Sequence, residues 1–481
     1  MINHAELTML TDFYEFTMAG GFWNSSVKNT VGYYDMYFRT VPDNGGFVIA
    51  CGLESMIEYL TNLKFDDEDI KYLGSKKMFS EDFLEYLRNF HFECNVWAVP
   101  EGTPMFPNEP FVTVHGPVIQ AQLLETMVLI CMNHQSLIAT KASRVVRAAQ
   151  GRPVMEFGAR RAQGYSAAIL GARATYIAGC DSTSCTISDR EYHIPVSGTM
   201  AHSWVQLFPT EYDAFVAYAQ SYPDKCVLLI DTYNTLKSGL PNAIKCFNEI
   251  LLPMGHRPIG IRIDSGDITY LSKKIRKILN EAGFPDCKIV ASNSLDEYII
   301  ADMLSQGAQI DSFGVGERLI TSKSEPVLGG VYKLTAIEDE KGNIIPKIKL
   351  SENVTKITTP CFKQIYRLYS KETGEALADV VTVHDETIDD TGDITIFDPE
   401  FTWKRKVISN FSARPLMQQI FKNGTLVYDV PNIESVREYC KNQLDTIWDE
   451  VKRFENPHKY YVDLSQKLWD IKQKMLSEYS M

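Results

Sequence analysis

The sequence predicts an α/β protein with an α/β barrel at its centre, an α+β domain before the barrel and a mixed, partly helical region after it. Short apolar runs rich in β-branched residues recur from position 153 to about 335, and helical patterns separate most of them. Polar side chains follow the carboxyl end of nearly every run. Alternating strands and helices indicate parallel βαβ units. Functional residues after every strand favour a barrel, because an open sheet concentrates them at one switch point.

The predicted N-terminal α+β domain covers residues 1–135. Its strand-like runs lie at 32–38, 46–52 and 111–116, and its amphipathic helical runs lie at 56–63 and 81–90. A long helical pattern without proline or glycine follows over residues 118–150, and the domain boundary falls within it. We expect Gly151, Arg152 and Pro153 to end this helix.

The predicted barrel domain covers residues 136–340. Its strand-like runs lie at 153–157, 175–178, 192–196, 226–230, 259–263, 287–291 and 309–315. The clearest helix between them is ITYLSKKIRKIL at 268–279, whose apolar side chains form one stripe opposite lysines and an arginine. Asp267 directly precedes this helix, where an aspartate is a preferred N-cap.

The predicted C-terminal region covers residues 341–481, and we expect it to pack on the N-terminal domain. Strand-like runs at 341–350, 364–370 and 379–385 precede two amphipathic helices. The second helix is predicted to carry one apolar stripe, made of Leu464, Leu468, Ile471, Met475 and Leu476. Structural packing is the expected role of these helices.

Composition and charge limit the class of function. The chain has 481 residues, of which 48 are Lys or Arg and 61 are Asp or Glu, giving a net charge of −13. This balance argues against non-specific nucleic-acid binding. No apolar run is long enough for a membrane span, and the first residues are acidic where a signal peptide is basic. The ten cysteines form no C-x-x-C pair, so we expect reduced thiols and a cytoplasmic protein.

The stretch EFGARRAQG, at 156–164, places Arg160 and Arg161 at the predicted start of a helix. A helix N-terminus already carries partial positive charge, so two arginines there are unfavourable without a bound anion. A guanidinium together with free backbone N–H groups can hold a carboxylate or a phosphate. The arginine pair therefore predicts an anion site, although an Arg-Arg pair is more commonly solvated or salt-bridged.

Three further motifs follow predicted strands. GTMAHSW places His202 on a turn opened by glycine, where it can serve as a nucleophile or an acid–base group. IRIDSGD places Arg262 and Asp264 two residues apart, so both side chains point into the barrel. SFGVGERLIT contains Gly314 and Gly316, which permit close backbone approach to a phosphate. Together the motifs suit a phosphorylated sugar with a divalent metal, whose ligands the spacing does not assign.

These motifs, together with TDFYEFTMAGGFW at 11–23, resemble those of the nicotinate phosphoribosyltransferase family. The resemblance extends in order over residues 11 to about 335 and implies an irregular TIM-like α/β barrel of the type II phosphoribosyltransferase kind. It implies condensation of nicotinate with 5-phosphoribosyl 1-pyrophosphate, with Mg²⁺ as cofactor, as the entry to NAD salvage from nicotinate. It also implies coupling to ATP hydrolysis through a phosphohistidine, and a homodimer with the site at the subunit interface.

The same resemblance implies roles for individual residues. Phe157 would stack on the pyridine ring, and Arg160, with Arg161 beside it, would meet the nicotinate carboxylate. His202 would be the histidine that ATP phosphorylates. The other implied residues are Arg262 and Asp264 at the ribose and pyrophosphate, Ser292, Asn293, Gly314 and Gly316 at the 5′-phosphate, Asp181, Gly198 and Thr199 at the substrate, and Tyr14 and Arg39 contributed by the partner subunit.

Alternatives remain open on the sequence alone. Asp181, in AGCDSTS, lies where the related nicotinamide enzyme uses an aspartate, and an acid there would repel the carboxylate of nicotinate. Nicotinamide and quinolinate are therefore alternative substrates. A barrel hydrolase acting on a phosphorylated sugar would use Asp231 and Asp264 as paired carboxylates. A non-catalytic barrel that binds a nucleotide or a protein partner is the third alternative.

Overall fold

The structure is a computed structural model that describes residues 7–479. The chain forms two compact units. The flanking unit contains the described residues up to Leu137 and those from Val327 onward, and the central unit contains Ile138–Pro326. Among the described helices, none is both long and apolar enough to cross a membrane.

The helices and strands are numbered in chain order. The helices are α1 (Phe13–Trp23), α2 (Leu53–Asn62), α3 (Asp67–Ser75), α4 (Glu81–Arg88), α5 (Val118–Gln122), α6 (Glu125–Ala148), α7 (Tyr165–Ile177), α8 (Thr186–Tyr192), α9 (His202–Gln206), α10 (Glu211–Ser221), α11 (Leu240–Cys246), α12 (Ile268–Glu281), α13 (Glu297–Ser305), α14 (Glu317–Ile320), α15 (Ile433–Thr446) and α16 (Gln466–Glu478). The strands are β1 (Val31–Tyr37), β2 (Val48–Ile49), β3 (Asn95–Ala98), β4 (Pro104–Met105), β5 (Val112–Pro117), β6 (Val154–Glu156), β7 (Ser182–Thr183), β8 (Val227–Leu229), β9 (Gly260–Ile263), β10 (Lys288–Ser292), β11 (Ser312–Val315), β12 (Val331–Glu338), β13 (Ile344–Pro346), β14 (Lys363–Ser370), β15 (Ala376–Val383), β16 (Ile394–Phe397), β17 (Arg405–Ile408), β18 (Phe411–Pro415), β19 (Gln418–Lys422), β20 (Thr425–Leu426) and β21 (Val462–Leu464).

The flanking unit is built around a seven-stranded sheet in the order β13-β12-β1-β5-β3-β19-β20. A four-stranded sheet, β18-β14-β15-β21, and two strand pairs, β2-β4 and β16-β17, complete it. Apolar side chains from α1 to α5 and from strands β1, β3, β5 and β19 share one buried core. Phe16 of α1, Met36 of β1 and Phe83 of α4 are among its buried members.

Strand pairing and a buried ion pair join the C-terminal residues of the flanking unit to its N-terminal residues. Strand β19 pairs with β3 in antiparallel fashion. The fully buried side chains of Arg367 and Asp379 approach to 2.6 Å, and Arg367 also donates to the carbonyl oxygen of Pro104 at 2.7 Å. Removing one partner of such a pair leaves an uncompensated buried charge, which costs about 3–5 kcal/mol. The pair therefore fixes β14 against the N-terminal segment.

Glu15 in α1 is a carboxylic acid buried at the start of a helix. Its Oε1 accepts hydrogen bonds from the Thr126 backbone N–H, at 3.0 Å, and from the Thr126 hydroxyl. Its Oε2 is buried without a hydrogen-bond partner. Burial raises the pKa of Glu15 from 4.5 to about 7, because the apolar surroundings disfavour its charged form.

We expect Glu15→Gln to stabilise the protein at alkaline pH. The folded state holds a proton on Glu15 between pH 4.5 and about 7 that the unfolded state has released. Stability therefore falls as pH rises through that window, by up to about 1.4 kcal/mol per pH unit for one proton. Glutamine removes this dependence, so urea denaturation should show a gain at pH 8 and little change at pH 4. The exposed acid variant Glu81→Gln is the control; an unchanged slope in Glu15→Gln would contradict the prediction.

The central unit contains a six-stranded parallel sheet in the order β7-β6-β11-β10-β9-β8. Strands β8 to β11 follow one another across the sheet, and β11 pairs with β6, the first strand of the unit. Residues of β8, β9 and β10 pack with α10, α11 and α12 in a second buried core. As predicted, Asp267 caps α12, since its carboxylate accepts from the Tyr270 N–H at 2.9 Å. All parallel carboxyl ends point to one edge of this sheet.

Two of the predicted strands are wrong. Residues 175–177 are the end of α7, which the alanine-rich sequence from Tyr165 favours, because alanine is the strongest helix former. Residues 192–196 are largely irregular: Pro195 has no N–H to donate, and only Val196 forms a bridge, with Thr183 of β7. The short strand β7 was not predicted. The other five predicted runs contain β6, β8, β9, β10 and β11.

Three helical predictions also need correction. Arg160 lies in a 3₁₀ turn at Ala159–Arg161, and α7 begins only at Tyr165, so the arginine pair does not sit on a helix N-terminus. The pattern over 118–150 forms two helices, α5 and α6, divided before Glu125. Leu464 ends β21 and lies outside α16. The last two errors arise where apolar periodicity continues across a break that only the tertiary structure imposes.

All ten cysteines lie within the described residues, and each has a buried, free thiol. Burial raises the pKa of Cys226 and of Cys287 to about 12. Such thiols are poor nucleophiles at neutral pH, because the thiolate is the reactive form. The cysteines therefore act as small apolar side chains in the core.

Candidate active site

Three neighbouring strands bring the charged and glycine motifs of the central unit together. Strand β10 lies between β9 and β11, and its register pairs Val290 with Arg262 on one side and Ser292 with Gly314 on the other. Asp264 follows β9 by one residue, and Asp231 follows β8 by two. The motifs predicted from the sequence thus meet at the carboxyl edge of one sheet, where ligands of parallel sheets bind.

Arg262 makes several hydrogen bonds at this edge of the sheet. Its Nε donates to Ser292 Oγ at 2.8 Å, and its Nη2 donates to Asp264 Oδ1 at 2.9 Å. Its Nη1 donates to Thr199 Oγ1 at 3.3 Å and to the Met200 carbonyl oxygen at 3.4 Å. The Ser292 hydroxyl also donates to Asp264 Oδ1. The guanidinium therefore fixes the loop before α9, the end of β10 and the carboxylate of Asp264 at the same time.

Asp231 presents one occupied and one free carboxylate oxygen. Its Oδ2 accepts from the Asp264 backbone N–H at 2.8 Å and from the Ser265 hydroxyl at 2.6 Å. Its Oδ1 is buried without a hydrogen-bond partner, and only 9% of the residue is exposed. A buried acceptor of this kind is costly unless a ligand or ion satisfies it. The free oxygen marks a position for a cation or a hydroxyl donor.

His202 is the first residue of the short helix α9, and its ring lies near Thr232 and Asp264. Its Nδ1 lies 3.1 Å from Thr232 Oγ1. Its Nε2 lies 3.8 Å from Asp264 Oδ2, which is too long for a hydrogen bond. The side chain is 40% exposed, so the ring is accessible to a substrate from solvent.

Phe157 packs against a glycine of the neighbouring strand. The Arg262 guanidinium carbon lies 5.8 Å from the centre of its ring, and its backbone N–H donates to Val315 at 2.8 Å. A Cβ at Gly314 would approach the Phe157 ring to 2.6 Å, so glycine there makes room for the aromatic side chain. The partly exposed ring is an aromatic surface next to the charged groups.

A buried acid supports the turn that carries Phe157. Glu156 accepts from the Thr183 hydroxyl at 2.7 Å and from the Gly158 N–H. A Cβ at Gly158 would come within 2.7 Å of Glu156 Oε1 and of Ile320, so this position also requires glycine. Burial raises the pKa of Glu156. The sequence pattern gave no signal for Glu156 or Thr183, because their partnership depends on the pairing of β6 with β7.

Arg160 and Arg161 are exposed on the turn after Phe157. Among the described residues, neither guanidinium has a hydrogen bond or an ion pair. The pKa of Glu317 is lowered mainly by its hydrogen bond from Lys323 and to a smaller extent by the charge of Arg161. Two unpaired arginines beside an aromatic ring can bind an anionic aromatic compound. The arginine pair can therefore still bind the predicted anion. The dipole of a helix does not contribute to that binding, because the pair is not at a helix N-terminus.

The end of β10 has an unusual backbone. Asn293 and Ser294 both have positive φ, at 84° and 52°. Consecutive non-glycine residues in this region are uncommon, and such strain concentrates at functional sites. Turns of this kind can direct successive N–H groups toward one anion. Ser292, Asn293, Gly314 and Gly316 lie on adjacent strand ends, as a phosphate site requires.

The remaining predicted residues lie elsewhere. Asp181 precedes β7, and its carboxylate accepts from the Val154 N–H at 2.9 Å, at the amino end of β6. The sequence had indicated that Asp181 follows a strand; that expectation is wrong, because the residues before it are helical. Gly198 lies in the loop before α9, next to Thr199. Tyr14 and Arg39 belong to the flanking unit, where Tyr14 is 44% exposed and Arg39 Nε is buried without a partner.

Gly314→Ala is expected to weaken binding of the aromatic substrate. The added methyl would displace the Phe157 ring, and because that ring is only partly buried, stacking should suffer more than folding. We expect KM for the aromatic substrate to rise about tenfold, equivalent to about 1.4 kcal/mol, with a smaller change in the melting temperature. Gly392→Ala, where nothing lies within 4 Å of the added atom, is the matched control. An unchanged KM would contradict this account of Gly314.

Comparison with known proteins agrees with the site. Models of the nicotinate phosphoribosyltransferase N-terminal domain, family and C-terminal domain match residues 9–133, 153–367 and 362–472. A nicotinate phosphoribosyltransferase of Bacillus subtilis is 42% identical over 474 residues, which cover 98% of this chain and 96% of that protein. The chain belongs to the nicotinate phosphoribosyltransferase family.

Solved structures agree in fold. The crystal structure of human nicotinic acid phosphoribosyltransferase matches with a TM-score of 0.84 and 28% identity, covering 97% of this chain and all of that chain. The structure of nicotinate-nucleotide pyrophosphorylase from Pyrococcus furiosus matches with a TM-score of 0.72, covering 93% of this chain and 97% of that chain. At 22% identity, the second match shows only that the fold is shared.

Proposed function

We propose that this chain condenses nicotinate with 5-phosphoribosyl 1-pyrophosphate to give nicotinate mononucleotide and pyrophosphate, in NAD salvage. The observation that carries the proposal is one sheet edge with an aromatic ring, Phe157, and an unpaired cation, Arg160, beside the charged cluster of Arg262, Asp264 and Asp231. The ring suits a pyridine, the cation suits its carboxylate, and the cluster suits ribose and pyrophosphate. The family relationship supports the same substrates.

The chemistry needs positioning and charge neutralisation more than a strong base. The ring nitrogen of nicotinate forms a bond to C1 of the ribose while the bond from C1 to the pyrophosphate oxygen breaks, and pyrophosphate leaves with that electron pair. Phe157 would hold the ring plane, and Arg160 would orient it through the carboxylate. Arg262 would supply hydrogen bonds to the charge that develops on the leaving group.

The acidic residues fit Mg²⁺ as a cofactor. The described residues form no cluster of three or more His, Cys, Asp or Glu side chains with metal-binding geometry. Mg²⁺ in phosphate-transferring sites is commonly held by one or two carboxylates and the substrate phosphates. The unpartnered Oδ1 of Asp231 and the partly exposed carboxylate of Asp264 meet that requirement. Bound there, Mg²⁺ would neutralise the charge of the pyrophosphate.

Coupling to ATP through phosphorylation of His202 belongs to the proposal. The ring is accessible and lies beside the carboxylate cluster, which supports a phosphoryl acceptor whose charge Mg²⁺ can balance. The strained turn after β10 supports phosphate binding by Ser292, Asn293, Gly314 and Gly316. Asp181 has no such support, because it lies at the amino ends of the strands.

We also propose that the six-stranded sheet is the wall of the predicted irregular TIM-like barrel, in a domain that corresponds to the central unit, Ile138–Pro326. Strand β12 lies within the predicted bounds 136–340 but pairs with β1 of the flanking unit. The order β7-β6-β11-β10-β9-β8 is the cyclic order of a barrel opened between β7 and β8, because the last strand pairs with the first. The bridge from Val196 to β7 lies on that open side and supports further closure.

A homodimer with Tyr14 and Arg39 contributed across the interface is proposed as well. Helix α1 exposes Phe13, Tyr14 and Met18 by 41%, 44% and 37%. Exposed apolar side chains concentrated on one helix commonly mark a protein–protein interface. Sedimentation of the purified protein should give twice the mass of 54.5 kDa, and a monomer at micromolar concentration would contradict the dimer.

The reaction is tested by pyrophosphate release from 5-phosphoribosyl 1-pyrophosphate and Mg²⁺, with nicotinate, nicotinamide or quinolinate, each with and without ATP. We expect release with nicotinate and stimulation by ATP. Release with nicotinamide alone would exclude the proposed substrate and keep the reaction class. The nicotinamide alternative rested on Asp181, whose carboxylate is bound to the Val154 backbone. If no base gave pyrophosphate release, the reaction would be excluded and the hydrolase and the non-catalytic binding protein would be the remaining functions.

Arg160→Gln should raise KM for nicotinate by about 10- to 100-fold, because a charged hydrogen bond to a ligand contributes about 1.5–3 kcal/mol. Arg161→Gln is the matched comparison, one position along the same turn, with a smaller expected effect because its guanidinium already interacts with Glu317. Steady-state rates over a range of nicotinate concentrations measure both. Equal effects of the two substitutions would argue against a specific role for Arg160.

A further inference from the structure

Thr232 provides the one short contact to the His202 ring among the described residues. Its Oγ1 lies 3.1 Å from Nδ1 and makes no second hydrogen bond in the described part of the chain. The nearest carboxylate oxygen to the opposite nitrogen, Asp264 Oδ2, is 3.8 Å away. Thr232 follows Asp231, three positions past the end of β8, so it belongs to the loop at the carboxyl end of that strand.

This contact bears on which ring nitrogen carries the proton, because a hydroxyl can accept from an Nδ1–H or donate to an unprotonated Nδ1. In a neutral imidazole one nitrogen is a donor and the other an acceptor, and the hydrogen bond at one nitrogen sets the state of the other. A threonine hydroxyl can accept from an Nδ1–H. With the proton held there, Nε2 carries the lone pair, on the side of the ring where Asp264 Oδ2 lies 3.8 Å away.

We infer that Thr232 is a positioning residue that holds His202 in the Nδ1–H tautomer and thereby selects Nε2 as the phosphorylated atom; this rests on the proposed phosphohistidine. In the step, the Nε2 lone pair forms a bond to the γ-phosphorus of ATP. The bond between that phosphorus and the bridging oxygen breaks, and ADP leaves with the electron pair. The Nδ1 proton stays in place, donated to Thr232 Oγ1.

The tautomer can be measured without ATP. Protein labelled with ¹⁵N in its histidine rings is compared at about pH 8, where an ordinary imidazole is neutral, and the His202 signals are assigned by their loss in His202→Asn. We expect protonated Nδ1 in the wild type and in Thr232→Ser, which keeps the hydroxyl. Thr232→Val, which keeps the shape, should shift the population toward protonated Nε2. An unchanged spectrum in Thr232→Val overturns the inference.

Phosphorylation gives the second readout. With γ-labelled ATP we expect acid-labile label on the wild type, none on His202→Asn, and labelling slowed about 10- to 100-fold in Thr232→Val. Thr232→Ser should restore labelling to within about threefold, and Thr269→Val in α12 controls for loss of a threonine hydroxyl elsewhere in the central unit. Wild-type labelling rates in Thr232→Val overturn the inference. No label on the wild type defeats the proposed phosphohistidine, and the tautomer measurement then decides Thr232 independently.

Discussion

Arg262→Lys is expected to lower kcat/KM for pyrophosphate release by about 10²- to 10³-fold, the range seen when one preorganised donor to a developing charge is removed. The guanidinium donates to Ser292, Asp264 and the loop at Thr199 from three different nitrogens. A lysine ammonium is a point charge and cannot hold three diverging partners in one plane. Substrate and leaving group would therefore meet a cluster that keeps its charge and loses its geometry.

Arg257→Lys is the matched control for this prediction. Arg257 also donates to a carboxylate, Asp286 at 2.7 Å from Nε, and to a backbone carbonyl, but it is half exposed and lies away from the carboxyl edge of the sheet. We expect its kcat/KM to stay within about twofold, since surface ion pairs contribute at most about 1 kcal/mol. Melting temperatures of both variants separate lost activity from lost folding. An Arg262→Lys enzyme within fivefold of wild type would refute a role for guanidinium geometry.

Asp231→Asn is expected to lower pyrophosphate release about 100-fold and to raise the Mg²⁺ concentration needed for half-maximal rate. The amide keeps the size of the side chain and an oxygen for the Asp264 N–H. It removes the negative charge and places an amide where Oδ1 now has no partner. A carboxylate oxygen is a far better ligand for a hard cation than an amide. A Mg²⁺ titration of the initial rate measures both effects.

Asp224→Asn is the control for charge removal in the same unit. Asp224 is 79% exposed and pairs with His256, so its loss should change neither the rate nor the Mg²⁺ requirement. An Asp231→Asn enzyme with wild-type Mg²⁺ dependence would exclude Asp231 as a ligand. A reduced rate with unchanged Mg²⁺ dependence would instead indicate that Asp231 positions Asp264, because its carboxylate accepts a hydrogen bond from the Asp264 backbone N–H at 2.8 Å.

The sequence predicted the site well where local order along the chain determines it. Five of the seven predicted strands exist, and the functional residues at or just past their carboxyl ends lie at one edge, Arg262, Asp264, Ser292 and Gly314 among them. Parallel strands connected by helices must point the same way, so residues that follow successive strands converge without any knowledge of distance. For the same reason Asp231, noted only for the hydrolase alternative, falls beside Asp264.

Contacts between residues far apart in the chain could not be predicted from the sequence. The sequence assigned no role to Thr232 or to Glu156, although Glu156 begins the EFGARRAQG stretch. Their roles depend on side chains that are distant along the chain: His202 is 30 residues from Thr232, and Thr183 is 27 from Glu156. The one available signal was position, since Thr232 is a polar residue three positions past the end of a strand. Asp181 was misplaced for a different reason. The residues before it were predicted as a strand but are helical, so Asp181 was expected at the carboxyl ends of the strands and lies at their amino ends.

The sequence by itself determined the order of strands, the chemistry gathered after them and the family, because periodicity and motifs are local properties of the chain. Only the tertiary structure decided that residues 175–177 are helical, that Arg160 lies on a 3₁₀ turn and that Asp231 keeps an unpartnered oxygen. A short apolar run can be buried as helix or strand at nearly equal local cost, so its state is settled by what packs against it. Hydrogen-bond satisfaction is likewise a property of the assembled site.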